Sequence, residues 1–144
     1  MKKYPHILLA AGGAVHLYFI VYNLIASLSL QLSGTASTLY LILTLPTILY
    51  NIVGTAVAAF TFKNFVQKKS NPFAVCSAVY YALAGFSILL SFAMYINSML
   101  PVAFIIRLAH LCACCCAFIS ALIIRKNSKK FVSENTNEEN PVDP

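Results

Sequence analysis

Residues 4 to 62 read YPHILLAAGGAVHLYFIVYNLIASLSLQLSGTASTLYLILTLPTILYNIVGTAVAAFTF and contain no Asp, Glu, Lys or Arg. A helix needs roughly 20 apolar residues to cross a hydrocarbon core about 30 Å thick. This run therefore holds two crossings joined by the short polar turn from Gln31 to Ser37. Two further charge-free runs, 70–106 and 108–124, are separated only by Arg107. Together they hold two more crossings, with a tight turn at Asn97 to Leu100 between them.

The spans are expected at about 6–30, 38–62, 72–96 and 101–124, within a transmembrane domain of residues 1–125. The expected fold class is an all-α membrane protein, a four-transmembrane-helix up-down bundle made of two helical hairpins. Pro46 falls inside the second span, where neighbouring helices can re-satisfy the backbone groups that a proline frees. Pro72 and Pro101 suit the first turns of the third and fourth helices. Residues 126–144 carry all four acidic residues of the protein, Glu134, Glu138, Glu139 and Asp143. This polar stretch cannot bury a core, so a disordered tail is expected there.

Composition points the same way. The 144 residues are 60% hydrophobic and 10% charged, against about 25% charged in a soluble domain. The net charge of +6 does not indicate nucleic acid, because the basic residues cluster at span ends rather than on a broad polar face. Lys2, Lys3, Lys63, Lys68, Lys69, Arg125, Lys126, Lys129 and Lys130 fall on one side of a four-crossing arrangement. Basic flanks stay cytoplasmic, so the N- and C-termini are both expected inside, in a plasma (inner) membrane. The same lysines suit anionic lipid headgroups. Met1-Lys2-Lys3 with its apolar continuation resembles a secretory signal, but the apolar region is too long for one and reads as an uncleaved first span.

Membrane helices associate through small residues and interhelical hydrogen bonds, because lipid tails are as apolar as leucine. A packing face repeats at steps of three and four. Such a seam runs through Gly13, His16, Ile20, Asn23 and Ser27 in the first span, and through Thr44, Thr47, Asn51, Gly54 and Ala58 in the second. It continues through Ser77, Tyr80, Ala84, Ser87 and Ser91, then through Arg107, His110, Cys114, Ala117 and Ala121. His16, Asn51, Ser87 and His110 are expected near the midplane, with Asn23, Thr44, Thr47, Ser91 and Arg107 in the outer half. The inner half of the seam is small and nearly apolar, so any polar pocket should open outward.

His16, Asn23, Asn51, Ser87, Arg107 and His110 are the candidate ligand-lining residues. An arginine within a span costs about 2.5–3.5 kcal/mol on insertion scales. No carboxylate lies in the spans to pair with Arg107. It either snorkels to the outer surface or faces an anion. His16 and His110 are ordinary interhelical hydrogen-bond donors, and weaker candidates for the axial ligands of a haem b or for a metal. Asn23 and Asn51 suit hydrogen bonding between helices. Cys112, Cys114, Cys115 and Cys116 cannot converge on one ion from a single helix, because Cys114 points away from the others. The Cys-x-x-Cys pair of Cys112 and Cys115 lies mid-span, far from the helix terminus or cation that redox thiols use. Buried cysteine otherwise behaves as a small apolar residue.

No constellation of nucleophile and base is present, so an enzyme is not expected. Three functions are compatible with these residues, in descending order. The first is a non-enzymatic bundle that associates with itself, as a homo-oligomer, or with another membrane protein. The second is a small transporter or channel-like subunit for a neutral or anionic solute. The third is a haem- or quinone-binding electron-transfer subunit. The bilayer itself is the one partner common to all three.

Overall fold

The structure is a computed structural model that describes residues 4–32, 34, 38–95 and 101–139. Its four helices are α1 (Pro5–Leu32), α2 (Thr38–Val66), α3 (Phe73–Tyr95) and α4 (Pro101–Glu139). Each is long and apolar enough to cross a membrane. The turns read at residues 31–37 and 97–100 lie, apart from the helical end of α1 and Gly34, outside the described residues, as does 140–144. The side chains of Ser27 and Thr44 are likewise outside them.

Pro101 opens α4 as the sequence suggests, where its missing N–H is no loss. Pro72 falls just before α3, which begins at Phe73, and Pro5 is the first residue of α1. Pro46 lies inside α2, which continues on both sides of it. α2 ends in a Schellman motif: Lys69 N–H donates to Asn64 O at 3.0 Å and Lys68 N–H to Phe65 O at 3.0 Å. Lys68 takes the left-handed position, with φ of 52°, where glycine is the usual occupant. Asn71 then ties the turn back, its Nδ2 donating to Thr61 O at 2.7 Å.

α4 differs from expectation. It runs through residues 126–139 as helix, where a disordered tail was expected. No glycine or proline interrupts the chain from Val102 to Asn140, and the polar residues after Arg125 do not of themselves end a helix. Polarity marked the end of the apolar span there, not the end of the helix.

α4 is the central element, packing most extensively on α1 and α3, whereas α2 lies mainly against α3 and α1. The interior is built from small residues: Ala58, Ala74, Ser77, Ala78, Ala113, Cys114, Ala117, Ser120 and Ala121 are all buried. Large aliphatic and aromatic side chains such as Ile25, Leu49, Phe86, Leu90 and Ile105 point outward. This is the distribution of a membrane bundle, in which small residues bring backbones together and bulky ones meet lipid. Gly12 shows how close the approach is. A Cβ there would stand 2.7 Å from Ala113 O and 3.1 Å from Ala117 Cβ.

The buried small residues fill only one half of the bundle. In that closed half, the start of α1 meets the end of α2, the start of α3 and the later turns of α4, with Leu9, Thr61, Ala74, Ala121 and Ile124 fully enclosed. Thr61 Oγ1 donates to Val57 O at 2.9 Å and Ser120 Oγ to Cys116 O at 2.7 Å. Their hydroxyls are thus satisfied within their own helices. In the other half the helices diverge around a cleft.

Candidate ligand cleft and its polar floor

The cleft has a volume of about 1460 Å³ and is walled by all four helices. The six candidates from the sequence, His16, Asn23, Asn51, Ser87, Arg107 and His110, all border it. Thr47, Thr55 and Ser91 join them, among a larger apolar lining that includes Ile20, Leu24, Ile48, Ile88 and Ile106. Midway along the bundle, the rings of His16, Tyr80, Tyr81 and His110 pack against one another. Beyond them the polar side chains on the cleft wall, Asn23, Thr47, Ser87 and Ser91, are short. Asn23, Thr47 and Ser87 remain exposed. The lining thus comes from the middle and later turns of α1 and α3 and from the earlier and middle turns of α2 and α4.

The floor is a hydrogen-bonded chain linking the four helices. Asn51 Nδ2 on α2 donates to its own Thr47 O at 2.8 Å, which turns Oδ1 toward α3. Tyr80 OH donates to that oxygen at 3.0 Å. Its only proton is then committed, so the 2.8 Å contact between His16 Nε2 and Tyr80 OH requires Nε2–H of His16 to donate. Neutral His16 therefore presents a bare Nδ1. His110 Nε2 lies 2.7 Å from that Nδ1 and must be its N–H donor. Cys114 Sγ stands 3.4 Å from the same nitrogen, as a second, weaker donor. One amide orientation on α2 thus assigns the tautomers of both histidines.

Packing holds these rings in place. His16 meets the edges of Tyr80 and Tyr81, with centroids at 5.5 Å and 5.6 Å. Phe19 stacks on His110 at 4.4 Å. Gly54 gives the ring of Tyr80 its space, since a Cβ there would run into it. Gly13 does the same for the Tyr81 hydroxyl, which would lie 2.9 Å from an added Cβ. Tyr50 OH donates to Tyr80 O at 3.1 Å, a further tie between α2 and α3.

Arg107 is partly buried on the cleft wall, one turn before His110. Ser87 and Asn23 line the wall outside the hydrogen-bonded chain of the floor. Of the cysteines, Cys114 is buried while Cys76, Cys112, Cys115 and Cys116 are exposed, so α4 turns Cys114 away from its neighbours as its spacing requires. Tyr80 and Cys114 are the residues that candidate selection from sequence missed. Both stood on the seam, one step from the selected side chains, but each was read as packing.

As they stand, the two histidines are closer than a pair of axial haem ligands. Axial nitrogens on one iron are separated by about twice a metal–nitrogen bond of roughly 2 Å, with the macrocycle between them. Here the ring nitrogens are 2.7 Å apart and bonded to each other, and Phe19, Tyr80 and Tyr81 crowd the rings. No family model matches the chain, and no curated protein or solved structure matches it either. Fold and site define it as a small, all-helical, multi-pass integral membrane protein.

Proposed function

We propose that this protein is a membrane-embedded binding bundle whose cleft takes a neutral or anionic amphiphile, acting as a small transporter-like subunit. In this reading the helices run up and down, both termini face the cytoplasm, and the cleft opens to the outer half of the bilayer. The observation that carries it is the position of Arg107 on the wall of a cleft with no carboxylate in any span. A guanidinium in that setting gains most from an anionic group supplied by a ligand. The cleft also exceeds the roughly 300–1,000 Å³ of ordinary small-molecule pockets. Its mainly apolar walls suit a chain or ring system, and the polar groups at Asn51, Ser87 and His110 suit a head.

Association enters the same reading. The four helices do not enclose the cleft completely, and a second copy or another membrane protein against it would. Haem ligation is disfavoured by the direct contact of the histidines.

Native mass spectrometry of the full chain, purified from its own membranes in mild detergent, tests the proposal. A defined additional mass of a few hundred daltons or more is expected on the wild type and should fall at least about tenfold in occupancy in Arg107→Gln, the loss of one charge-assisted contact. Bare wild-type protein, or equal occupancy in both, would contradict it.

A further inference from the structure

The floor of the cleft contains a second kind of site. His16, His110 and Cys114 bring one ligating atom each to within 4.8 Å of one another. They come from two helices, α1 and α4, that pack tightly together. The geometry points to a binding site for a single copper(I) ion, ligated by His16 Nδ1, His110 Nε2 and Cys114 Sγ. This site does not rest on what the cleft above it takes.

Three features select this chemistry. The first is direction. The hydrogen bonds through Asn51 and Tyr80 leave the lone pair of His16 on Nδ1, which faces Cys114 Sγ at 3.4 Å and His110 Nε2 at 2.7 Å. The opposite nitrogen donates to Tyr80 OH. A ligating histidine ordinarily has such a partner on its other ring nitrogen, which fixes tautomer and ring orientation. The second is size. Three donors about 2.0–2.3 Å from a metal in one plane stand about 3.5 Å from each other. The Cys114–His16 distance already matches, the three ligating atoms all lie within 4.8 Å of one another, and the two rings need to part by less than about 1 Å from their hydrogen-bonded spacing.

The third feature is charge, and it decides the ion. The spans contain no carboxylate. One thiolate and two neutral imidazoles therefore supply a single negative charge. With Cu⁺ the site is neutral, whereas Zn²⁺ would leave a net positive charge in a low-dielectric setting that penalises it. Soft thiolate and imidazole donors at low coordination number also suit copper(I).

Binding is a proton-for-metal exchange. The Cys114 S–H bond breaks as the Cu–S bond forms, and the proton leaves to water through the cleft. His110 moves its ring proton from Nε2 to Nδ1, freeing Nε2 to ligate. Copper stays in the +1 state, so no electron is transferred.

The test is a titration of the full chain in mild detergent with Cu⁺, kept reduced by ascorbate and held against a chromophoric copper(I) chelator. The exposed thiols are removed first, in a variant carrying Cys76→Ser, Cys112→Ser, Cys115→Ser and Cys116→Ser. That variant should bind one Cu⁺ per chain, with an absorption spectrum at the copper edge showing one sulfur and two nitrogen neighbours. Adding Cys114→Ser should weaken binding at least about 100-fold, and Tyr80→Phe about tenfold, the range seen for partners of metal ligands. Loss of copper from the four-serine variant, an all-nitrogen shell in it, or its preference for Zn²⁺ over Cu⁺ would each overturn the assignment. The spectrum on the four-serine variant stands even if the Cys114 substitution fails to fold.

Discussion

The two halves of this bundle use the same kinds of residue to opposite effect. In the closed half, Gly12, Ala74, Ala78, Ala117 and Ala121 lie at the contacts, and the helices approach to backbone contact. In the open half, Asn23, Thr47, Ser87 and Ser91 are comparably small, yet they border a cleft of about 1460 Å³. The difference lies between them. A level of rings at His16, Tyr80, Tyr81 and His110 lies between the halves, and the short polar side chains beyond it leave the cleft unfilled. Small side chains therefore permit close packing but do not compel it. Lipid offers no hydrophobic contrast to drive collapse, so the gap is not closed from outside.

The contrast is broken most directly by adding bulk on each side. Gly12→Leu should destabilise by about 3 kcal/mol or abolish folding, because the new side chain meets Ala113 and Ala117 at contact distance and overpacking costs typically 1–3 kcal/mol. Ser87→Leu should stay within about 0.5 kcal/mol, the range for positions with space around them. Unfolding in mild detergent measures both, and equal losses would erase the distinction between the halves.

The separating level can be disturbed alone. Gly54→Ala places a methyl group in the ring of Tyr80 and should cost about 2 kcal/mol. Tyr80→Phe keeps the ring but removes the hydroxyl shared by His16 and Asn51. Interhelical hydrogen bonds in membranes average about 0.6 kcal/mol, so about 1 kcal/mol is expected for the two. A loss above about 3 kcal/mol would mean that the polar chain, and not small-residue packing, holds the bundle together.

The smallest effect lies at the end of α2. Lys68→Gly relieves a non-glycine residue at φ of 52° and should raise stability by about 0.5–1 kcal/mol, as the left-handed penalty of a Cβ disappears. A loss on this substitution would show that the Lys68 side chain contributes more than its backbone strain costs.

The overall architecture was legible because its determinant is one-dimensional. A charge-free run long enough for a crossing can be counted along the chain, and the described helices begin within one or two residues of the counted positions. The seam was legible for a related reason, since helical periodicity puts His16, Asn51, Ser87 and His110 on inward faces. The meeting of Cys114 with both histidines was not legible. It depends on the relative rotation and axial offset of α1 and α4, which no spacing within either helix specifies. The same limit applies to Gly12. The sequence placed Gly13 on the seam, and it does face Tyr81, but the tightest backbone approach to α4 falls one residue earlier. The length of α4 was misjudged because polarity reports where a helix leaves lipid, whereas helix termination needs a breaker.

The central claim is that one half of the bundle opens to a cleft with polar groups set in mainly apolar walls, whereas the small-residue interior of the other is closed. Thiol accessibility tests it most directly, in native membranes and in a background where the exposed cysteines Cys76, Cys112, Cys115 and Cys116 are serine. New cysteines at Ser87→Cys and Thr47→Cys should react rapidly with a charged, water-soluble thiol reagent, while those at Ser77→Cys and Ala121→Cys should stay protected from either side of the membrane. Comparable reaction at all four positions, or protection at Ser87 and Thr47, would contradict the account.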